Sequence, residues 1–145
     1  MKPAWIIEAE KYIGLKEIKG PEHNPEILQW WKDIKRGGIQ QDSVPWCSAF
    51  VGAMLERSGI KSSRFEGALS YLEWGMDITA PAYGCVVVFS RSVGGHVGFV
   101  VGDLLKTVSK IDKLGETAKT AVVSGTSVSE VENKEKDLLE QFAAI

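Results

Sequence analysis

Pro45-Trp46-Cys47-Ser48-Ala49-Phe50-Val51 is the stretch on which the fold turns. Helix signals converge on it. Asp42 and Ser43 are N-cap candidates, and Pro45 suits a first-turn position, where its missing N–H costs nothing. Phe50, Val51, Met54 and Leu55 recur at one-face helical spacing. Ser58-Gly59 closes the element, because Gly59 takes the left-handed conformation that follows many helices without penalty. Cys47 therefore falls in the first turn. Backbone N–H groups there lack intrahelical partners, and the positive end of the macrodipole favours a thiolate, the nucleophilic form of cysteine. The plainer reading of Cys47 is a small packed hydrophobe, as most cysteines outside disulfides are.

A second stretch supplies a partner. Gly84-Cys85-Val86-Val87-Val88-Phe89-Ser90 is a short β-branched run, and Gly94-Gly95-His96-Val97-Gly98-Phe99-Val100-Val101 follows at once. They predict two neighbouring antiparallel strands with a turn over residues 91 to 94. His96 opens the second strand. A cysteine on a helix N-terminus facing a histidine on a sheet is the arrangement of papain-like catalysis. There the imidazole takes the thiol proton and later gives it to the leaving amine.

The residues also resemble a known family. The blocks are Trp46-Cys47-Ser48-Ala49-Phe50-Val51, Ala68-Leu69-Ser70-Tyr71-Leu72-Glu73-Trp74-Gly75, Gly84-Cys85-Val86-Val87-Val88-Phe89 and Gly95-His96-Val97-Gly98. In that order they are similar to the NlpC/P60 and CHAP superfamily, and more narrowly to its small phage-type cell-wall hydrolases. The likeness runs over residues 3 to 102. It implies an α+β, papain-like fold, with N-terminal helices packed on a small antiparallel sheet. It implies amide hydrolysis in the peptide stem of peptidoglycan, with Cys47 as nucleophile and His96 as base. On resemblance alone, a stem endopeptidase ranks ahead of an N-acetylmuramoyl-L-alanine amidase. The rival expectation keeps the fold without the catalysis, as a wall-binding or structural component of a phage or secretion machine.

The whole chain sets limits. Its 145 residues fit one domain with a proper core. A net charge of −2, with no basic stripe interleaved with aromatics, argues against nucleic acid as a partner. Two cysteines make no disulfide framework, and Cys85 reads as a packed thiol at a strand start. No zinc-ligand spacing occurs, so no metal and no cofactor is expected. The first residues hold no long apolar region, and no stretch reaches transmembrane length. The expectation is a monomer made in the cytoplasm without a signal peptide and delivered to the wall by phage or secretion machinery.

Taken in order, residues 3 to 13 predict an amphipathic helix with Trp5, Ile6, Ala9 and Ile13 on one face, ended by Gly14. Glu17 follows in Gly14-Leu15-Lys16-Glu17, which also resembles the family's N-terminal block. It either lines the cleft or ties down loop N–H groups. His23 reads as an exposed loop histidine. Asn24 caps the next helix with Pro25 at its first position. Ile27, Leu28 and Trp31 form that helix's core stripe, with Trp30 partly exposed. Residues 68 to 74 predict a short helix ended by Gly75. Trp46, Ser48, Ser70, Tyr71 and Arg91, with Glu17, are the expected substrate-binding residues. For Tyr71 and Trp74 the plainer reading is core, and for Arg91 a solvated turn residue.

After Gly102 the likeness thins, and residues 103 to 145 form a divergent tail. Residues 104 to 119 suit a helix, residues 121 to 124 a strand and residues 133 to 142 a helix. The family often places an amide after the strand that follows the histidine. Here Ser124-Gly125-Thr126-Ser127 holds that place, which makes Thr126 the expected third catalytic residue. Its hydroxyl orients an imidazole more weakly than an amide or carboxylate does.

Overall fold

The computed structural model describes residues 1–77, 82–90 and 94–101, with the strand backbones of 121–123 and 126–128. Three helices, α1 (Ala4–Glu10), α2 (Pro25–Asp33) and α3 (Cys47–Arg57), precede a 3₁₀ helix (Ala68–Glu73). Strands β1 (Val86–Ser90) and β2 (Gly95–Phe99) follow, then β3 (Ala121–Val123) and β4 (Thr126–Val128). The class is α+β.

α3 is the centre. Residues 48 to 55 are all buried, so the helix is enclosed on every side instead of along one stripe. α1, α2 and β2 pack around it. Its C-terminus closes as expected. Gly59 has φ +82, its N–H donates to the Glu56 carbonyl at 3.0 Å, and the Ile60 N–H reaches back to the Leu55 carbonyl at 2.9 Å. Arg57, in the last turn, ties the three helices together. It donates to Asp33 (2.8 Å) and Glu26 (3.0 Å) of α2, and to Tyr12 (2.6 Å) and Glu8 (3.3 Å).

α2 begins as its sequence predicts. Asn24 Oδ1 accepts the Glu26 N–H at 3.0 Å, with Pro25 at the first helical position. Ile27 and Trp31 are buried, and Leu28 is half-buried. Trp30 is a correction. It is only 1% exposed. Tyr12, Trp46 and Phe50 surround its ring at centroid distances of 5.3, 5.4 and 5.0 Å.

α1 is shorter than its periodicity predicts. From Lys11 on, N–H groups bond three residues back, Lys11 to Glu8 and Tyr12 to Ala9. That tighter winding advances each residue further around the axis than an α-helix does. It carries Ile13 off the core face, where it is 62% exposed, and brings Tyr12 onto Trp30 instead.

β1 and β2 pair antiparallel, Val86 opposite Phe99 through Ser90 opposite Gly95. Val100 N–H to Cys85 O (2.8 Å) and Gly84 N–H to Val100 O (2.6 Å) extend the ladder. The Trp5 indole N–H donates to the Gly84 carbonyl at 2.6 Å and fastens α1 to the sheet. Residues 68 to 73 form the expected short helix, of 3₁₀ type, followed by Gly75 at φ +76. β3 realises the strand expected after residue 120 and pairs antiparallel with β4. β3 runs beside β1 and the 3₁₀ helix. The helices expected at 104–119 and 133–142 lie outside the described residues.

Close packing of α3 against α2 makes a prediction. A Cβ on Gly52 would lie 2.5 Å from Ile34 Cγ2 and 3.1 Å from the Tyr71 hydroxyl, both on buried side chains. Overpacking costs about 1–3 kcal/mol, while replacing a helical glycine by alanine returns about 1 kcal/mol. Gly52→Ala should therefore lose up to about 2 kcal/mol in urea unfolding. Gly38→Ala, with nothing within 4 Å of its Cβ, should stay within about 0.5 kcal/mol of the parent.

Candidate active site

Cys47 is the first residue of α3 and is half-buried. The residue before it, Trp46, is the N-cap, with φ −106 and ψ 9. Its carbonyl accepts the first helical bond, from the Phe50 N–H at 2.8 Å. Trp46 makes no side-chain cap hydrogen bond to this terminus. The expectation that Asp42 or Ser43 caps the helix is therefore corrected, and Pro45 lies just outside the helix instead of in its first turn. The reason is that the Asp42 carboxylate is committed elsewhere.

Asp42 is buried and gathers three donors. Its Oδ2 accepts the Asn24 N–H at 2.9 Å and the Ile18 N–H at 2.8 Å, and its Oδ1 lies 3.1 Å from His23 Nδ1. The two backbone bonds, Asn24 then Ile18, outweigh desolvation and hold the carboxyl at about 2, from an ordinary 3.8. His23, expected to be exposed, is half-buried against this group.

Trp46 and Glu17 are brought together directly. The Trp46 indole N–H donates to Glu17 Oε1 at 2.9 Å, while the ring packs on Trp30 and Phe50. Glu17 is exposed, and what it binds is a side chain and not the loop N–H groups. Asp42 is the residue that ties down the loop.

His96 is the second residue of β2, opposite Phe89, half-buried with its Nε2 below the surface. α3 and β2 pack against one another, and Phe50 of α3 meets Phe99 of β2 at 6.3 Å. The two expected catalytic residues thus sit on adjoining elements, Cys47 at the start of the helix and His96 at the start of the strand. Cys85 is buried just before β1, and its sulfur accepts the Ala82 N–H at 3.0 Å, which fits the packed reading.

Two expected substrate-binding residues are corrected. Ser48 is fully buried, and its hydroxyl donates to the Phe65 carbonyl at 2.7 Å. Being one residue on from Cys47 turns it about 100° around the helix, into the interior. Tyr71 is also fully buried, edge-on to Trp74 at 5.4 Å, and burial pushes its hydroxyl up to about 12. Ser70 is half-buried and bonds Ser63 and the Gly67 carbonyl, both at 2.7 Å. Arg91 lies outside the described residues, as does the side chain of Thr126, whose backbone opens β4 and pairs with Val123 of β3.

Among the described residues no three His, Cys, Asp or Glu side chains cluster as metal ligands, and no helix is long and apolar enough to cross a membrane. Comparison of the chain with protein-family models, with curated proteins and with solved structures found no match.

The Asp42 contacts set an acid limit. A carboxyl held below its ordinary value stabilises the fold fully above that value. The contribution is lost as pH falls from about 4 towards 2. Glu56, held at about 2 by Arg64, loses its contribution in an overlapping window. Asp42→Asn should lower the melting temperature at pH 7, because a neutral amide oxygen accepts the two backbone N–H groups more weakly than a carboxylate oxygen and the amide nitrogen then faces His23 in place of an acceptor. It should also flatten, without abolishing, the fall in melting temperature between pH 5 and about 2.

Proposed function

We propose that this chain is a papain-like thiol hydrolase that cleaves an amide bond in the peptide stem of peptidoglycan. The observation that carries this reading is the placement of Cys47. It opens a buried helix whose N-cap residue, Trp46, makes no side-chain cap bond, and that helix packs on the strand bearing His96. Support also comes from the spaced sequence blocks that resemble the NlpC/P60 and CHAP superfamily.

The chemistry follows from those positions. The helix N-terminus and a neighbouring imidazole favour the thiolate of Cys47. The thiolate attacks the carbonyl carbon, and backbone N–H groups at the start of α3 receive the developing oxyanion. The C–N bond breaks as His96, carrying the thiol proton, gives it to the leaving amine. A water deprotonated by His96 then cleaves the thioester and restores the thiol. Trp46 forms an aromatic wall next to the nucleophile. Thr126 is the proposed orienter of His96, its hydroxyl accepting the imidazole N–H that faces away from Cys47.

Digestion of purified sacculi, followed by mass analysis of the released fragments, tests the reaction and identifies the bond. Truncated stems mark an endopeptidase, whereas whole stems beginning with L-alanine mark an amidase. Cys47→Ala should abolish release while costing little stability, since alanine fills most of the thiol's space. Cys85→Ala should keep activity. Release at the parent rate by Cys47→Ala would refute the mechanism. Binding of sacculi without release by the parent chain would favour a wall-binding role.

A separate pair of variants tests the orienter. Thr126→Val keeps the shape and removes the acceptor, so turnover should fall with the melting temperature little changed. Thr126→Asn should preserve or raise turnover. Unchanged rates in both would remove Thr126 from the site.

A further inference from the structure

We propose that Glu17 is a positioning residue for Cys47, acting through the indole of Trp46, and that Asp42 holds the loop that delivers it. This inference rests on the reading of Cys47 as the reactive thiol.

The geometry starts at Trp46. This residue ends the incoming loop, and its carbonyl accepts the first bond of α3. Its backbone orientation therefore sets where the helix begins and how Cys47, the next residue, is presented. The ring is held at two places. Its faces and edges pack on Trp30 at 5.4 Å and Phe50 at 6.5 Å, and its N–H donates to Glu17 at 2.9 Å.

Glu17 by itself is an exposed residue in a loop between two glycines of positive φ, Gly14 at +87 and Gly20 at +102. Such a residue holds a partner in place only if its own backbone is fixed. Here the backbone is fixed on both sides. The Lys16 carbonyl accepts from Asn24 Nδ2 at 2.8 Å, and the Ile18 N–H donates to Asp42 Oδ2 at 2.8 Å. Asn24 is itself the α2 N-cap, and its own N–H also binds Asp42. The chain of contacts runs from the start of α2, through Asp42 and the loop, to Glu17, Trp46 and the start of α3. Each contact is polar and geometrically specific, and the last one adjoins the nucleophile.

The test uses the full chain and reads iodoacetamide labelling of Cys47 by peptide mass. Glu17→Leu removes the acceptor, Glu17→Gln keeps an acceptor oxygen without the charge, and Trp46→Phe keeps a ring without the donor. Glu17→Leu and Trp46→Phe should each slow labelling at neutral pH by about threefold or more, the effect of losing about half a unit of thiolate stabilisation. Glu17→Gln should stay near the parent, and the Glu17→Leu/Trp46→Phe double variant should be no slower than either single one. Parent-like labelling in Glu17→Leu would overturn the proposal. So would a Glu17→Gln variant as slow as Glu17→Leu, which would make charge, not the bond, responsible. Sacculus digestion by the parent chain reports separately on catalysis. A parent that digests nothing but shows this labelling pattern loses the hydrolase reading and keeps the positioning. A parent that digests while Glu17→Leu labels normally does the reverse.

Discussion

The burial of α3 on every side is the constraint on which the rest of the molecule depends. A helix with one apolar stripe needs one neighbour, but a helix buried from residue 48 to residue 55 needs a complete shell. Phe50, Val51, Met54 and Leu55 each contribute about 1.5–3 kcal/mol of gross burial energy. The surrounding elements are arranged to collect it. Gly52 lets α2 approach within contact of the helix backbone, and Phe50 locks β2 onto the opposite end of the aromatic cluster. Cys47 is the point at which this enclosed helix reaches the surface at its N-terminal end.

The same constraint shapes the candidate site. Ser48 is inside because the helix is enclosed one residue after Cys47. Trp46, not Asp42, is the N-cap residue and makes no side-chain cap bond, because Asp42 serves two backbone donors and His23 from earlier in the chain. An N-cap residue that makes no side-chain bond is costly in a purely structural helix. It is useful where an anionic sulfur or a developing oxyanion is to be held, which is the role proposed for it. The aromatic contacts of Trp30 with Tyr12, Trp46 and Phe50 make that terminus part of the core rather than a frayed end.

Local signals were legible in the sequence. Asn24 with Pro25 marked the start of α2, Gly59 marked the end of α3, and the β-branched runs around residues 84 to 101 marked the hairpin. Each depends on residues a few positions apart. What was not legible depends on contacts between distant residues. Asp42 reads locally as a cap, yet its donors lie 18 to 24 residues earlier. Trp46 and Glu17 were both expected beside the cleft, but the bond between them spans 29 positions and has no local signature. The azimuth of Ser48 required knowing that the whole circumference of α3 is covered. Trp30 looked like the outer of two tryptophans until Tyr12 and Trp46 closed over it.

The central claim is that the start of α3 and His96 act together on Cys47. The rate of Cys47 alkylation against pH, in the parent and in His96→Ala, tests it most directly. The account predicts an inflection in the parent well below the ordinary thiol value of about 8.5, moving upward in His96→Ala. A single inflection near about 8.5 in both proteins would contradict it.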